Sequence, residues 1–436
     1  MKPEPAKTRP TFGLWALVAL VVGNAVGAGI YTTSGFSLAD LGSVYWVMLA
    51  WLVAGLIALC GALSYGMLVA RLSESGGEYL YLSRSIHPIA GYVAGWISLL
   101  AGFPGAIAFA ATAFESYSRA AVPELAALPN DLLAISVVLL AGVIHLYQVR
   151  VGARIHELVV LLMLGILILL GAYGLFWIVD QQAYVSSAVP KVSSFSIVAF
   201  ANTLVWISLS YSGFNAAAYI AGEVRNAATV VPRGMVYGTL ATILLCLLVN
   251  AVFLFSVPAE ALSGRADIAL ISANAIAGDF GVRLMQIVIA VSLLTSITAM
   301  ALAGPRVYAK MADDGALPKL FAFVPGKPPR ASIVLQIVIT IALISVADLR
   351  GLLSYLGLTL SLCLALAVSS LFVGHYLRAE RPQSVFYPYA PIIFVVSTTG
   401  FAVLSALHSP LQFIAALPTI AAGAVFYWLQ QRRANS

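Results

Sequence analysis

Apolar residues in this chain run in long blocks and do not alternate with polar ones. Twelve stretches are long enough to cross a bilayer and nearly free of charge. They fall near 12–36, 43–70, 88–118, 132–149, 155–178, 196–222, 233–257, 282–304, 331–347, 350–375, 388–407 and 410–430. The last two share one uncharged run and divide at His408, Ser409 and Pro410. A helix rises about 1.5 Å per residue, so roughly 20 apolar residues cover the hydrocarbon core. The blocks predict an all-α polytopic membrane protein with twelve spans.

Composition narrows the reading further. Of 436 residues, 61% are hydrophobic and 9% charged, against about 45–50% and about 25% in soluble domains. A chain of this balance could not cover its own surface in water. The apolar excess runs end to end, which also excludes a disordered chain or a single membrane anchor. The three cysteines, Cys60, Cys246 and Cys363, lie far apart in apolar stretches. They predict small packed hydrophobes, with neither a disulfide framework nor a metal site. Residues 1–11 are polar and basic, with Lys2, Lys7 and Arg9, and lack a small-residue cleavage site. They predict a cytoplasmic N-terminus that is not a cleaved signal.

Charge sets the orientation. With the N-terminus inside, five of the 23 Lys and Arg residues fall on outer segments (Arg119, Lys191, Arg265, Arg283 and Arg350) and the other eighteen on inner ones. Basic residues collect on cytoplasmic loops, and a missed span would invert every loop after it. The expected placement is a cell inner membrane, with both termini cytoplasmic. The net charge of +6 resides in loops and implies no nucleic-acid partner.

Two spans carry residues that weaken a helix. Span 1 contains Gly23-Asn24-Ala25-Val26-Gly27-Ala28-Gly29-Ile30, and span 6 contains Ser208-Leu209-Ser210-Tyr211-Ser212-Gly213-Phe214-Asn215. Each glycine costs a helix roughly 1 kcal/mol relative to alanine. Unwound backbone is tolerated in a bilayer only inside protein or along a cavity. Span 1 enters from inside and span 6 from outside, so a five-span unit repeated once is inverted. Paired interruptions in inverted halves point to a carrier's binding site. The predicted organisation is repeat 1 over 12–178, repeat 2 over 196–375, two added spans over 388–430 and a cytoplasmic tail over 431–436. A broken helix frees amides at one end and carbonyls at the other. The amides suit a carboxylate, and the carbonyls suit an ammonium group or metal cation. Residues Asn24 to Ile30 and Ser208 to Gly213 therefore form the candidate site for a zwitterion such as an α-amino acid.

Four motifs now carry a resemblance. Val22-Gly23-Asn24-Ala25-Val26-Gly27-Ala28-Gly29-Ile30-Tyr31 resembles the first-span motif of the amino acid–polyamine–organocation superfamily, where a G-S-G-I-F-type turn binds the substrate carboxylate. Tyr211-Ser212-Gly213-Phe214-Asn215, with Glu223-Val224-Arg225-Asn226, resembles its sixth span and the cytoplasmic exit. Gly76-Gly77-Glu78-Tyr79 is similar to its loop after span 2, and Arg306 to Pro318 to its loop after span 8. Bacterial relatives of the L-type amino acid transporters resemble the chain best. The resemblance implies the LeuT-like five-plus-five fold, with discontinuous spans 1 and 6. It further implies secondary transport of neutral amino acids, by exchange or with H⁺ or Na⁺ coupling. Transport of polyamines or other small organic cations is the alternative. Three positions depart from the family pattern: Leu209 stands where an aromatic gate is common, Ala28 replaces the serine of the turn, and Met163 replaces a fifth-span lysine that takes the place of a sodium ion. These departures bear on substrate size and ion coupling.

Thr295, Ser296 and Thr298 on span 8 are a candidate ion site beside span 1, although membrane hydroxyls commonly bond their own backbone. Glu115 reads as an outer-end residue, and His145, His156 and Glu157 as interfacial groups. At the cytoplasmic face, Glu74 and Glu78 flank Gly76-Gly77, and Glu223, Arg225, Arg306 and Lys310 lie where spans 6 and 8 leave the bilayer beside Asp313 and Asp314. Glu223, Arg225 and Arg306 are the candidate inner gate. A membrane enzyme would need an in-membrane nucleophile, carboxylate pair or His cluster. A channel would need a symmetric filter or rings of charge, and an ATP-driven pump a GxxxxGK[ST] loop. The chain contains none of these, which leaves a carrier with an amino acid and the bilayer as its partners.

Overall fold

The computed structural model describes residues 12–147, 150–181, 195–324, 327–346, 349–373 and 384–408, with isolated positions between 421 and 428. The order is α1 (Leu14–Ala25), α2 (Ala28–Leu41), α3 (Val44–Arg71), α4 (Gly77–Ser85), α5 (Pro88–Ile97), α6 (Phe103–Ala121), α7 (Leu132–Tyr147), α8 (Arg150–Gln181), α9 (Ile197–Tyr211), α10 (Ala227–Phe255), α11 (Ala259–Leu262), α12 (Ile268–Asp313), α13 (Arg330–Ile344), α14 (Leu349–Val373) and α15 (Tyr389–His408). A π turn, Ser98–Gly102, joins α5 to α6, and a 3₁₀ helix, Ser212–Glu223, continues α9. The π turn precedes Pro104, whose missing amide opens the helical ladder there.

Seven helical segments are long and apolar enough to cross a membrane, and they coincide with expected spans 1, 2, 3, 5, 6, 7 and 8. Four shorter apolar helices coincide with spans 4, 9, 10 and 11. Expected span 12 lies almost wholly outside the described residues. The chain is thus an all-helical, multi-pass membrane protein. Lipid-facing helices leave large apolar side chains on the surface, as Leu158, Leu162, Leu169 and Phe176 do on α8.

The packing places the interrupted segments at the centre. α1 lies against α10, α8, α12 and the 3₁₀ helix, and α2 lies against α9 and α12. Leu17, Val21, Val26, Ile30 and Tyr31 are buried there. Just upstream, Phe12 forms a single parallel bridge with Val224 beyond the 3₁₀ helix.

Two expectations about elements change. Span 6 has no non-helical stretch; it tightens from α to 3₁₀ at Ser212. Ser208 and Ser212 return their hydroxyls to the carbonyls of Val205 and Leu209, each at 2.7 Å. The serines thereby satisfy the carbonyls that unwinding would have freed. The segment after Arg306 is likewise helix and not loop as far as Asp313, because α12 runs on past the apolar block. The other end of α12 is broken outside the expected span, at Ala277 and Gly278, where Gly278 takes φ 55°.

Candidate functional site

Span 1 breaks as expected. Val26 (φ −80°, ψ 76°) and Gly27 (φ −126°, ψ −156°) leave helical geometry between α1 and α2. The Val26 amide donates to the Val22 carbonyl, the Gly27 amide to Ala25 and the Ile30 amide to Gly27. Gly27 has no side chain to cap α2, so the leading amides of α2 and the last carbonyls of α1 are presented to whatever lies beside the break.

Three glycines draw the neighbouring elements onto that break. A Cβ on Gly213 would lie 2.6 Å from the Ala25 amide nitrogen, so the 3₁₀ helix touches α1 backbone to backbone. A Cβ on Gly29 would collide with the Ser210 side chain. A Cβ on Gly27 would lie 2.9 Å from the Ser296 hydroxyl of α12. Asn24, Ala25, Val26, Gly27, Ala28, Gly29, Ser210, Gly213 and Ser296 are thus brought together. Ile30 and Tyr211 are buried in the adjoining core. The Ser210 hydroxyl, 4% exposed, and the Asn24 side-chain oxygen have no hydrogen-bond partner among the described residues. Buried polar atoms without partners are uncommon and call for an explanation.

Leu209, Ser208 and Ser212 face elsewhere. They line a cleft between α3, α9, α14 and α15, walled by Ala58, Leu360, Phe394 and Phe401. Ser208 also reaches Ser361 at 3.4 Å. The residue turned toward the break at this level is Ser210 and not Leu209.

The span 8 hydroxyls divide. Thr295 donates to the Ser292 carbonyl at 2.8 Å, and Thr298 to the Thr295 carbonyl at 2.9 Å, so both bond their own helix. Ser292, which the sequence reading passed over, is the hub. Its hydroxyl lies 2.7 Å from the Tyr31 hydroxyl and donates toward the Val288 carbonyl and the Met163 sulfur, at 2.8 and 2.9 Å. Its place one turn before Thr295 and Ser296 could have flagged it. Met163 therefore packs directly on the candidate ion site, its sulfur 3.9 Å from the Thr295 hydroxyl.

At the expected cytoplasmic face, Arg306 donates from Nε to Glu223 Oε1 at 2.6 Å and from Nη2 to Oε2 at 3.3 Å. Arg306 is 5% exposed and also donates to the Leu302 carbonyl. Lys310 meets Glu74 at 2.8 Å and Asp314 at 3.1 Å. Burial opposes the charge on Lys310, but the two carboxylates outweigh it and raise its pKa above the ordinary lysine value. Arg225 is exposed and makes no ion pair among the described residues. It is not part of this cluster of ion pairs.

Glu78 departs furthest from expectation. It is not a solvated loop charge; it is 3% exposed. Its Oε1 accepts from Tyr65 of α3 at 2.6 Å and, in the 3₁₀ helix, from Asn215 at 2.8 Å and Tyr219 at 3.0 Å. Glu115 is also buried. It caps the start of α7 through the amides of Asp131 and Ala134, both at 2.9 Å, and holds Arg119 at 2.8 Å. Glu157 is half-buried on α8, and the His156 side chain lies outside the described residues. Cys246 and Cys363 are buried and Cys60 half-buried, all as free thiols.

A membrane bundle built around a broken helix, with backbone groups presented at the break, is the architecture of a solute carrier. The chain belongs to the amino acid permease family, whose model matches residues 12–429, and so to the amino acid–polyamine–organocation superfamily: it is an amino acid transporter and not an enzyme. It is similar to the mouse b(0,+)-type amino acid transporter 1, with 25% identity covering 96% of this chain and 87% of the relative. The human large neutral amino acids transporter small subunit 2 is 25% identical over 96% of this chain and 79% of the relative. The human cystine/glutamate transporter is 26% identical over 89% and 77%.

Proposed function

We propose that this transporter carries neutral amino acids across the cell inner membrane by alternating access. In this reading it has twelve spans, an inverted five-plus-five repeat and both termini in the cytoplasm. The observation that carries the reading is the meeting of the α1–α2 break with Ser210, Gly213 and Ser296. Leading amides of α2 hold the substrate carboxylate, carbonyls at the end of α1 hold its ammonium group, and the Ser210 hydroxyl gains the partner it lacks. No Asp, Glu, Lys or Arg occurs between Asn24 and Ile30 or between Ser208 and Gly213. A charged substrate side chain would therefore lose its hydration without gaining a counter-ion, at a cost of several kcal/mol. Glu223–Arg306 and Lys310–Glu74 close the inner side, joining the 3₁₀ helix and the loop before α4 to α12. The name of one relative, a large neutral amino acids transporter, supports the substrate class. The names of the b(0,+)-type and cystine/glutamate relatives leave charged amino acids and small cations as the competing outcomes.

Counterflow into proteoliposomes, read with a competition panel, tests this. Alanine, serine, leucine and phenylalanine should compete with labelled substrate at least about tenfold better than arginine, glutamate or putrescine, the equivalent of roughly 1.4 kcal/mol. Stronger competition by a charged member would overturn the neutral assignment. Driving the same vesicles with a pH or sodium gradient then reads the coupling ion.

A further inference from the structure

The carboxyl of Glu78 sits where three elements meet. It lies on the first turn of α4, under Tyr65 of α3 and against Asn215 and Tyr219 of the 3₁₀ helix. Asn215 donates also to the Tyr219 hydroxyl at 2.8 Å, and Tyr219 packs edge-on to Phe103 at 5.0 Å. All three donors to the carboxyl are neutral, and among the described residues no cation lies within ion-pair reach of it. The other titratable groups around it are Tyr81 on its own helix and Cys363 of α14, likewise neutral at physiological pH. From α12 come Lys310 and Asp314, but Glu74, Arg84 and Tyr79 engage them. Among the described residues, Glu78 is the one carboxyl here without a committed counter-ion.

The backbone beside it makes a tight glycine turn. Gly76 (φ 142°) and Gly77 (φ 53°) precede Glu78 in conformations that disfavour other residues. Ser75 accepts from the Gly222 amide at 3.1 Å, so the same turn also holds the end of the 3₁₀ helix. Opening the inner side by parting this turn from the 3₁₀ helix would strip Glu78 of two of its three side-chain donors and admit water.

We infer that Glu78 is a proton-binding site, read from the cytoplasm, whose occupancy sets the balance between the closed and open forms of the inner side. The inference rests on the alternating-access reading above. Burial raises the Glu78 carboxyl above the ordinary range, and the bonds from Tyr65, its own amide, Tyr219 and Asn215 offset this only in part. Opening returns it toward the solvated value. The closed form thus binds the proton more tightly: lowering cytoplasmic pH through the window between the two values favours closure, and raising it favours opening.

The test is labelling of Ser75→Cys, with Cys60, Cys246 and Cys363 replaced by alanine, by an impermeant maleimide on the cytoplasmic side. Rates are divided by those of the Glu78→Gln form of the same protein, which removes the pH dependence of the thiol. The ratio should rise with pH by up to about tenfold for each pH unit by which closure raises the carboxyl. A flat ratio would overturn the proposal. Should Glu78→Gln fail to fold, Tyr219→Phe in the same background replaces it. This variant keeps the ring but removes a donor that favours the ionised carboxyl. The labelling midpoint should then move up by about one pH unit, and an unmoved midpoint would overturn the proposal. The labelling needs no transport, so a protein without amino acid counterflow at any pH would sink the transport reading while the proton site is judged separately.

Discussion

One hydrogen atom where other residues carry a methyl group decides how closely the 3₁₀ helix approaches α1. At Gly213 the obstruction to a Cβ is main chain, so Gly213→Ala must push the two elements apart. Overpacking of this kind costs about 1–3 kcal/mol. At Gly27 it is a rotatable hydroxyl, Ser296, so Gly27→Ala can be accommodated but narrows the break. We expect Gly213→Ala to lower the thermal midpoint of the purified protein. Gly27→Ala should leave the midpoint unchanged and reduce counterflow at least about tenfold. Equal stability losses would place both glycines in packing and remove Gly27 from the site. Gly29 behaves like Gly213, since its hydrogen faces Ser210 and the Ser210 backbone follows close behind. Gly29→Leu would therefore test folding before it tested transport. The spacing of glycines marked this region in the sequence, but which glycine serves packing and which serves the break depends on a neighbour some 180 to 270 residues away.

At the scale of elements, the proposed function divides between a rigid frame and a lock that must open. Glu115 belongs to the frame, because its two oxygens satisfy the leading amides of α7. Glu115→Gln weakens those bonds and the hold on Arg119. It should lower the thermal midpoint by the equivalent of about 1–2 kcal/mol with substrate affinity unchanged. A change in the pH dependence of transport without loss of stability would instead give it a proton-handling role. Glu223 and Arg306 form the lock. Glu223→Gln leaves a buried guanidinium short of its counter-charge. Because Glu223 is itself about a quarter exposed, the loss falls below the 3–5 kcal/mol of a fully buried pair. A loss of about 1–2 kcal/mol corresponds to roughly 5–30-fold more cytoplasmic labelling of a cysteine near Gly27. Unaltered labelling would reduce the pair to a marker of membrane side. Acid–base spacing in the sequence brought out Glu223 and Arg306, but it grouped Arg225 with them and showed Glu78 only as a charge beside Gly76-Gly77 at the cytoplasmic face. A charge in a loop motif reads as solvated unless the elements folding over it are known.

For the whole molecule, orientation follows from the asymmetry of basic residues. If both termini lie in the cytoplasm, as proposed, single cysteines at Glu260 and Asp131 should label from outside, and cysteines at Glu74 and Lys319 from inside. Any reversal would mean that a span has been missed or invented. The sequence by itself determined the class of the molecule, because helices in lipid must satisfy their own backbone and long apolar blocks have no other stable use. It also determined where α1 would break, since Gly27 and Gly29 make that break cheap locally. Span 6 tightens to 3₁₀ and does not unwind because its serines bond carbonyls within the same turn, a local effect, whereas the rest was left to tertiary structure. It alone turned Ser210 to the break and Leu209 to the cleft beside α14 and α15. It brought Ser292 to Tyr31 and Met163, and it drew Glu78 out of water. Each of these depends on what packs against a residue across more than a hundred positions of chain. Local propensity carries no record of such contacts; they arise when the helices close around one another.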